Sequence, residues 1–241
     1  MKLTCLATGS SGNCYLLQAD NGETLILDCG ISVKEIKKGL NWDITGVVGC
    51  VVSHAHSDHN KSLAELKGMG IPIYAPYISQ KPMTIGSGAF RIQSFDLTTV
   101  DGRWTHTNAD GTECPCYGFL ITHKEMGKLL YITDTELIKW RFKDINHILL
   151  GVNYDKDLVD TDNPKANHVF RGHLSIDTAC DFVKANDSDS LQNVIMCHLS
   201  SENADKESFI GKMKKAVNVA NVDVAEQGKS WILRKGDECP F

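Results

Sequence analysis

The stretch Ser53-His54-Ala55-His56-Ser57-Asp58-His59 decides how the rest of the chain is read. It follows the apolar run Val47-Val48-Gly49-Cys50-Val51-Val52, so it is expected at the carboxyl end of a buried strand. In open α/β folds, ligands bind at such ends. Imidazoles and a carboxylate packed this densely cannot enter an apolar interior without a partner, and they are the donors that Zn²⁺, Mn²⁺ or Fe²⁺ accept. His54 and His56, two apart on an extended chain, point the same way and can share one cation. Asp58 and His59, past the turn at the start of a helix, more naturally address a second one. The plain alternative is a surface loop that happens to be rich in histidine.

The chain has 241 residues, enough for a large core, and its composition is that of a soluble globular protein. Met1-Lys2-Leu3-Thr4-Cys5-Leu6-Ala7 is too short an apolar stretch for a signal peptide, and no run reaches the length of a membrane span. The expectation is a cytoplasmic protein with no membrane partner; nothing in the sequence sets an oligomeric state. Nine scattered cysteines without a C-x-x-C pair read as reduced, mostly buried thiols. Cys114-Pro115-Cys116 is either a redox or metal contact or a proline-centred loop. A net charge of -5 argues against broad attraction to nucleic acid but allows a local basic groove. Lys139, Arg141 and Lys143, then Lys165 and Arg171, then Lys212, Lys214 and Lys215 are candidates for it, each with a solvated face as the alternative.

Leu3 to Leu6 and Tyr15 to Leu17 are predicted strands joined by Gly9-Ser10-Ser11-Gly12-Asn13, a loop whose amides could hold an anion or simply make a hairpin turn. Thr24 to Leu27 is a strand ending at Asp28. Ser32-Val33-Lys34-Glu35 is a capping box opening a helix that ends near Gly39, and Leu63, Leu66 and Met69 mark another. Ile71 to Tyr74, Phe90 to Ile92 and Tyr117 to Ile121 are further strands. Between the last two lies a long polar loop, with a hairpin tip at Asp101-Gly102 and one histidine, His106. Lys128 to Thr133 delivers Asp134 at a strand end, and Val194 to Cys197 delivers His198. Asn153 and Asp155, after the strand from Ile148, are candidates for lining the cleft. Asn163-Pro164 marks a turn, and Ser175 is an N-cap that leaves His173 just before a helix. Ser200, Ser201 and Asn203 could cap the helix of Phe209, Ile210, Met213 and Val217, contact a phosphate, or both. Val222 to Ala225 and Trp231 to Leu233 close the sheet. His123, His147 and His168 fit no motif. Strands delivering ligands at 28, 54, 134 and 198 suggest two similar sheet halves facing each other.

The H-x-H-x-D-H run resembles the signature of the metallo-β-lactamase superfamily. Thr8-Gly9-Ser10-Ser11-Gly12-Asn13, Gly172-His173-Leu174-Ser175 and His198-Leu199-Ser200-Ser201-Glu202-Asn203 look most like its YycJ/WalJ branch, which is related to RNase Z. The resemblance implies an α/β fold, a four-layered αββα sandwich of two mixed sheets, forming a single domain over 1–241. It implies His54, His56 and His106 on one divalent metal ion, Asp58, His59 and His198 on a second, and Asp134 across both. Zinc or manganese is expected, with iron possible. Asp28 would lie beneath the site and orient the histidine loop without binding metal. Asp58 and His173 would be catalytic, the first orienting the nucleophilic water and the second protonating the leaving group. Ser10, Ser11, Asn13, Asn153, Ser200 and Ser201 are the candidate substrate contacts. The chain departs from the branch after His106, where Thr107 replaces an aspartate, and at Gly151, where relatives carry Glu.

His56 separates the chain from flavodiiron proteins, which carry Glu there, and the tail after Trp231 is too short for the helical region of glyoxalase II-like thioesterases. Only about sixty residues separate Asp134 from His198, so there is no room for the domain that β-CASP nucleases insert. The expected function is a dinuclear-metal phosphodiesterase, a DNA exonuclease of the YycJ type. The alternatives are hydrolysis of a small phosphodiester or cyclic nucleotide, a mononuclear-iron oxygenase like persulfide dioxygenase, and a binding module without catalysis.

Overall fold

The computed structural model describes residues 1–108, 110–160, 162, 170 and 172–236. One mixed sheet contains β1 (Lys2–Ala7), β2 (Cys14–Gln18), β3 (Thr24–Leu27), β4 (Val47–Val51) and β5 (Ile73–Tyr74). The other takes β6 (Thr84–Ser87), β7 (Phe90–Asp96), β10 (Tyr117–His123), β11 (Gly127–Ile132), β12 (His147–Gly151), β13 (Asn193–Cys197) and β14 (Asn221–Val224). A small hairpin, β8 (Thr99–Val100) and β9 (Arg103–Trp104), stands apart, and β15 (Ser230–Ile232) returns to pair with β1. The strand orders are β15-β1-β2-β3-β4-β5 and β14-β13-β12-β11-β10-β7-β6. Each sheet is antiparallel on one side and parallel on the other, with β3 to β5 and β11 to β14 forming the parallel parts. The two similar halves expected from the strand ends at 28, 54, 134 and 198 correspond to this repeat of parallel strands.

Alternation of side chains along each strand builds the layers. Leu25 and Leu27 of β3, Leu129 and Tyr131 of β11, and Ile195 and Cys197 of β13 point inward and form the core between the sheets. Ile26, Leu130, Ile132, Val194 and Met196 point outward and are equally buried, because helices cover both outer faces. This explains the near-continuous apolar runs of the parallel strands. Ile36 of α1 (Val33–Gly39) and Leu66 of α3 (Leu63–Gly68) cover the first sheet, with α2 (Ser57–Asn60) between them in the chain. The short α4 (Pro76–Ser79) follows β5. Ile176, Ala179 and Val183 of α5 (Ile176–Asn186), with Phe209 and Met213 of α6 (Lys206–Lys214), cover the second. Each fully buried Leu, Ile or Phe contributes about 1.5–3 kcal/mol relative to exposure. The four-layered sandwich expected from the sequence is therefore the observed architecture.

Local details follow the sequence. Ser32 and Glu35 make the reciprocal capping box, with Glu35 N 3.3 Å from Ser32 Oγ and Ser32 N 3.1 Å from a Glu35 carboxylate oxygen. Asp101 and Gly102 both take positive φ at the β8–β9 tip, as a tight hairpin of right-twisted strands requires. The strand expected over Ile71 to Tyr74 is shorter, only Ile73–Tyr74 pairing as strand, because Pro72 has no amide hydrogen to give a ladder. The eight cysteines among the described residues are free, and all but Cys180 are buried. No helix among the described residues is long and apolar enough to cross a membrane. The turn at Asn163-Pro164, and Lys165, His168 and Arg171, lie outside the described residues.

Candidate metal centre

Asp28 is the hub beneath the site. It is fully buried and ends β3 with φ +54°, a left-handed conformation that a non-glycine residue holds only when its surroundings insist. Its Oδ1 accepts from Ser53 N (2.8 Å), and its Oδ2 accepts from Ser53 Oγ (3.0 Å), His59 Nδ1 (2.6 Å) and the Tyr131 hydroxyl (2.6 Å). A carboxylate bonded this fully keeps its charge in the interior. Since it accepts from His59 Nδ1–H, the Nε2 of that ring is left facing Asp58 Oδ2 and Asp134 Oδ2, each at 3.4 Å.

Ser53 passes the order on to His54. Its hydrogen goes to Asp28, and its oxygen takes the Thr133 hydroxyl (3.2 Å) and His54 Nδ1 (3.0 Å). His54 is fully buried, and its Nε2 has no hydrogen-bond partner among the described residues while lying 3.7 Å from Asp134 Oδ2. A buried nitrogen lone pair left unpaired is costly unless a cation or proton occupies the space before it. His106 is ordered from the other side, its Nδ1 giving a hydrogen to Gly172 O at 3.0 Å. Gly172 has φ +106°, and a Cβ there would stand 2.4 Å from His106 Nδ1, so only glycine permits this approach. Gly30 is needed similarly: a Cβ would stand 1.7 Å from Asp58 O.

His198 ends β13 with φ +55°, as Asp28 ends β3. Its amide donates to Thr8 Oγ1 (2.9 Å), which also receives the Tyr15 hydroxyl (2.9 Å), and its carbonyl accepts from Asn153 Nδ2 (3.0 Å). Its Nε2 then lies 3.3 Å from Asp58 Oδ2 and 3.5 Å from Asp134 Oδ1.

The result is two donor sets that share one residue. His54, His56, His106 and Asp134 form one, and Asp58, His59, Asp134 and His198 the other; within each, the ligand atoms lie within 4.8 Å of one another. Charge is divided between them. Burial drives His54 well below the ordinary imidazole pKa, with His59 and His106 adding to it, and burial lowers His106 to about 3. Those rings are neutral and present lone pairs. Burial also opposes charge on His59 and His198, but Asp28 and Asp134 raise the first well above its usual value, and Asp134 and Asp58 raise the second. Burial works against ionisation of Asp58 and Asp134 too. Hydrogen bonds from His198 and His59 nevertheless hold Asp58 low, and the charges of His198 and His59 do the same for Asp134. Imidazoles and carboxylates converging in a largely buried pocket are a donor set that suits divalent cations. His173 stands beside them, Nδ1 3.8 Å from Asp134 Oδ1 with a partly exposed side chain.

A model of the metallo-β-lactamase superfamily matches residues 7–150, which include the histidine loop and Asp134. The chain belongs to the metallo-β-lactamase superfamily. It is accordingly a hydrolase of that superfamily. Exodeoxyribonuclease YycJ of Bacillus anthracis is 27% identical over 229 residues, covering 86% of this chain and 85% of its own. Exodeoxyribonuclease WalJ of Streptococcus pneumoniae is 24% identical over 234 residues, covering 86% and 84%. Among solved structures, the metallo-β-lactamase fold protein YhfI from Bacillus subtilis superposes with a TM-score of 0.67 at 16% identity, over 96% of this chain and 99% of that one.

The other residues singled out in the sequence differ in their surroundings. Ser10, Ser11 and Ser201 are exposed. Asn13 and Asn153, expected to meet substrate, are buried braces instead. Asn13 Oδ1 accepts from Gly9 N, its Nδ2 lies within 3.3 Å of Gly9 O, Asp58 O and His59 Nε2, and Asn153 holds His198. Ser200 Oγ accepts from the amides of Glu202 and Asn203. Asp155 is not open to the cleft; it is buried, pairs with Lys212 Nζ at 2.7 Å and so removes that lysine from any basic groove. His123 and His147 are buried, the latter bonded to Arg234 O and Asn193. Thr8, Tyr15, Ser53, Tyr131 and Thr133 were not singled out for these roles. A signal existed for Tyr131 and Thr133: hydroxyls two apart on the inward face of an apolar strand, just before Asp134, need buried partners.

Proposed function

We propose that the chain hydrolyses phosphodiester bonds of DNA from an end, as an exodeoxyribonuclease of the YycJ kind. The observation that carries this reading is the pair of donor sets meeting at Asp134, and the near end-to-end similarity to two exodeoxyribonucleases supports the choice of substrate. In this reading His54, His56 and His106 would hold one divalent cation and Asp58, His59 and His198 a second, Asp134 being common to both donor sets; manganese or zinc is the expected metal, and iron the other candidate. Two such cations, when bound, supply Lewis acidity that stabilises charge on a phosphoryl oxygen and makes a water acidic near neutral pH.

The chain's own groups do the rest. Asp58 is ionised and partly open, so it can accept a hydrogen bond from the attacking water and hold it in line. His173 would pass a proton to the departing alkoxide, its Nδ1 standing 3.8 Å from Asp134 Oδ1 beside the donor sets. Ser10, Ser11 and Ser201 are exposed hydroxyls that would bond phosphate oxygens in this reading; Asn13, Asn153 and Ser200 act by fixing His59, His198 and the loop after it.

End-labelled duplex and single-stranded DNA, assayed with Mn²⁺, Zn²⁺ and Mg²⁺ beside a generic small phosphodiester, test this reading. Progressive shortening from an end is expected, abolished in His56→Ala and reduced in His173→Ala by about 10²–10⁴-fold. Cleavage of the small ester with no action on any polymer would reject DNA as substrate.

A further inference from the structure

Asn108, two residues past His106, lies outside both donor sets, and we infer that it is a positioning residue that fixes the tautomer of His56. The inference rests on the metal centre proposed above. Its first step is to tell the two ends of the amide apart. Asn108 Nδ2 lies 2.9 Å from Thr112 Oγ1 and 3.1 Å from Glu113 O. A backbone carbonyl can only accept, so the NH₂ end faces Glu113. The Thr112 hydroxyl donates its hydrogen to Asp110 Oδ1 at 2.6 Å and keeps its lone pairs for the amide.

Asn108 Oδ1 therefore points the other way, where His56 Nε2 lies at 3.1 Å. An amide oxygen accepts only, so Nε2 carries the hydrogen, and in a neutral ring Nδ1 is left with the lone pair. That atom faces His106 Nε2 at 2.9 Å. His106 has already given its own Nδ1 hydrogen to Gly172 O, so its Nε2 is a lone pair as well. Two lone pairs at that separation repel unless a proton or cation joins them. The two outer hydrogen bonds thus turn both rings toward one electrophile.

The brace is rigid. Asn108 N donates to Thr112 O (2.8 Å), Gly111 N donates to Asn108 O (2.9 Å), and Thr107 bridges to Glu113 across the loop. The amide consequently keeps its orientation without help from the histidine. Partners of this kind set which nitrogen of a histidine meets the metal, and removing one weakens metal affinity about 10–100-fold.

The test needs no catalytic activity. In ¹⁵N-histidine-labelled, metal-free protein at about pH 8, where free imidazoles are neutral, long-range ¹H–¹⁵N spectra report each tautomer; the His56 signals are assigned by their loss in His56→Ala. Wild type is expected to show His56 as Nε2–H, Asn108→Ala a mixture, and zinc affinity by chelator competition is expected to fall about 10–100-fold in that variant. His56 found as Nδ1–H in wild type overturns the inference, and this spectrum decides even if Asn108→Ala fails to fold. So does a folded Asn108→Ala with unchanged tautomer and unchanged zinc affinity. Wild type that binds no cation but keeps the Nε2–H tautomer would instead reject the metal centre and leave the Asn108 brace standing.

Discussion

Replacing Tyr131 by Phe isolates one bond under the candidate centre. The Tyr131 hydroxyl donates to Asp28 Oδ2 at 2.6 Å, and its ring is buried near Tyr15 and Phe119. Phenylalanine keeps the ring and nearly all its volume, so the change is the loss of one hydrogen bond to an ionised group, worth about 1.5–3 kcal/mol. Asp28 retains Ser53 N, Ser53 Oγ and His59 Nδ1, so its charge is not abandoned and the cost stays within that range. About 2 kcal/mol is expected, which in a chain of this length lowers Tm by about 4–8 °C. Denaturant unfolding of chelator-treated protein measures it: the midpoint should fall while the slope is unchanged. A loss below about 0.5 kcal/mol, the scale of an ordinary surface change, would refute a phenol bound to a charged Asp28.

Three further expectations concern other parts of the chain. Lys212→Met strands the buried Asp155 carboxylate; because Lys212 is a third exposed, the loss near pH 7 is held to about 1–2 kcal/mol. Burial pushes the Asp155 pKa up, but the Lys212 hydrogen bond overcomes this and lowers it. A depressed carboxylate contributes above its unfolded pKa and loses that contribution as pH falls through the folded one, so the gap between variant and wild type should close below about pH 4 in urea titrations. Gly172→Ala forces a Cβ against His106 and should cost about 1–3 kcal/mol and weaken zinc binding about tenfold. Gly211→Ala, with no neighbour within 4 Å of the added Cβ on helix α6, should be neutral or stabilising by about 0.5–1 kcal/mol in the same melts.

The residues of the two donor sets were legible because their chemistry is conspicuous in one dimension: histidines and carboxylates placed at the ends of apolar strands have few other uses. The layers were legible for a related reason, since strands buried on both faces must be apolar throughout. The braces were not. Asn13 and Asn153 look like any polar residues near a cleft, and only tertiary distances show their amides turned onto His59 and His198. Asp155 resembled a cleft acid because the sequence does not reveal that Lys212, from a distant helix, reaches it. Asn108 sits in a polar loop without periodicity, so nothing along the chain marks it as a neighbour of His56.

The most direct test is a count of cations. Chelator-treated protein dialysed against Zn²⁺ or Mn²⁺ and analysed for metal should hold about two divalent ions per chain, and Asp134→Ala, which removes the carboxylate common to both donor sets, should not retain the pair. Wild type that takes up no divalent ion, or an Asp134→Ala protein that binds two as tightly as wild type, would contradict a centre built around Asp134.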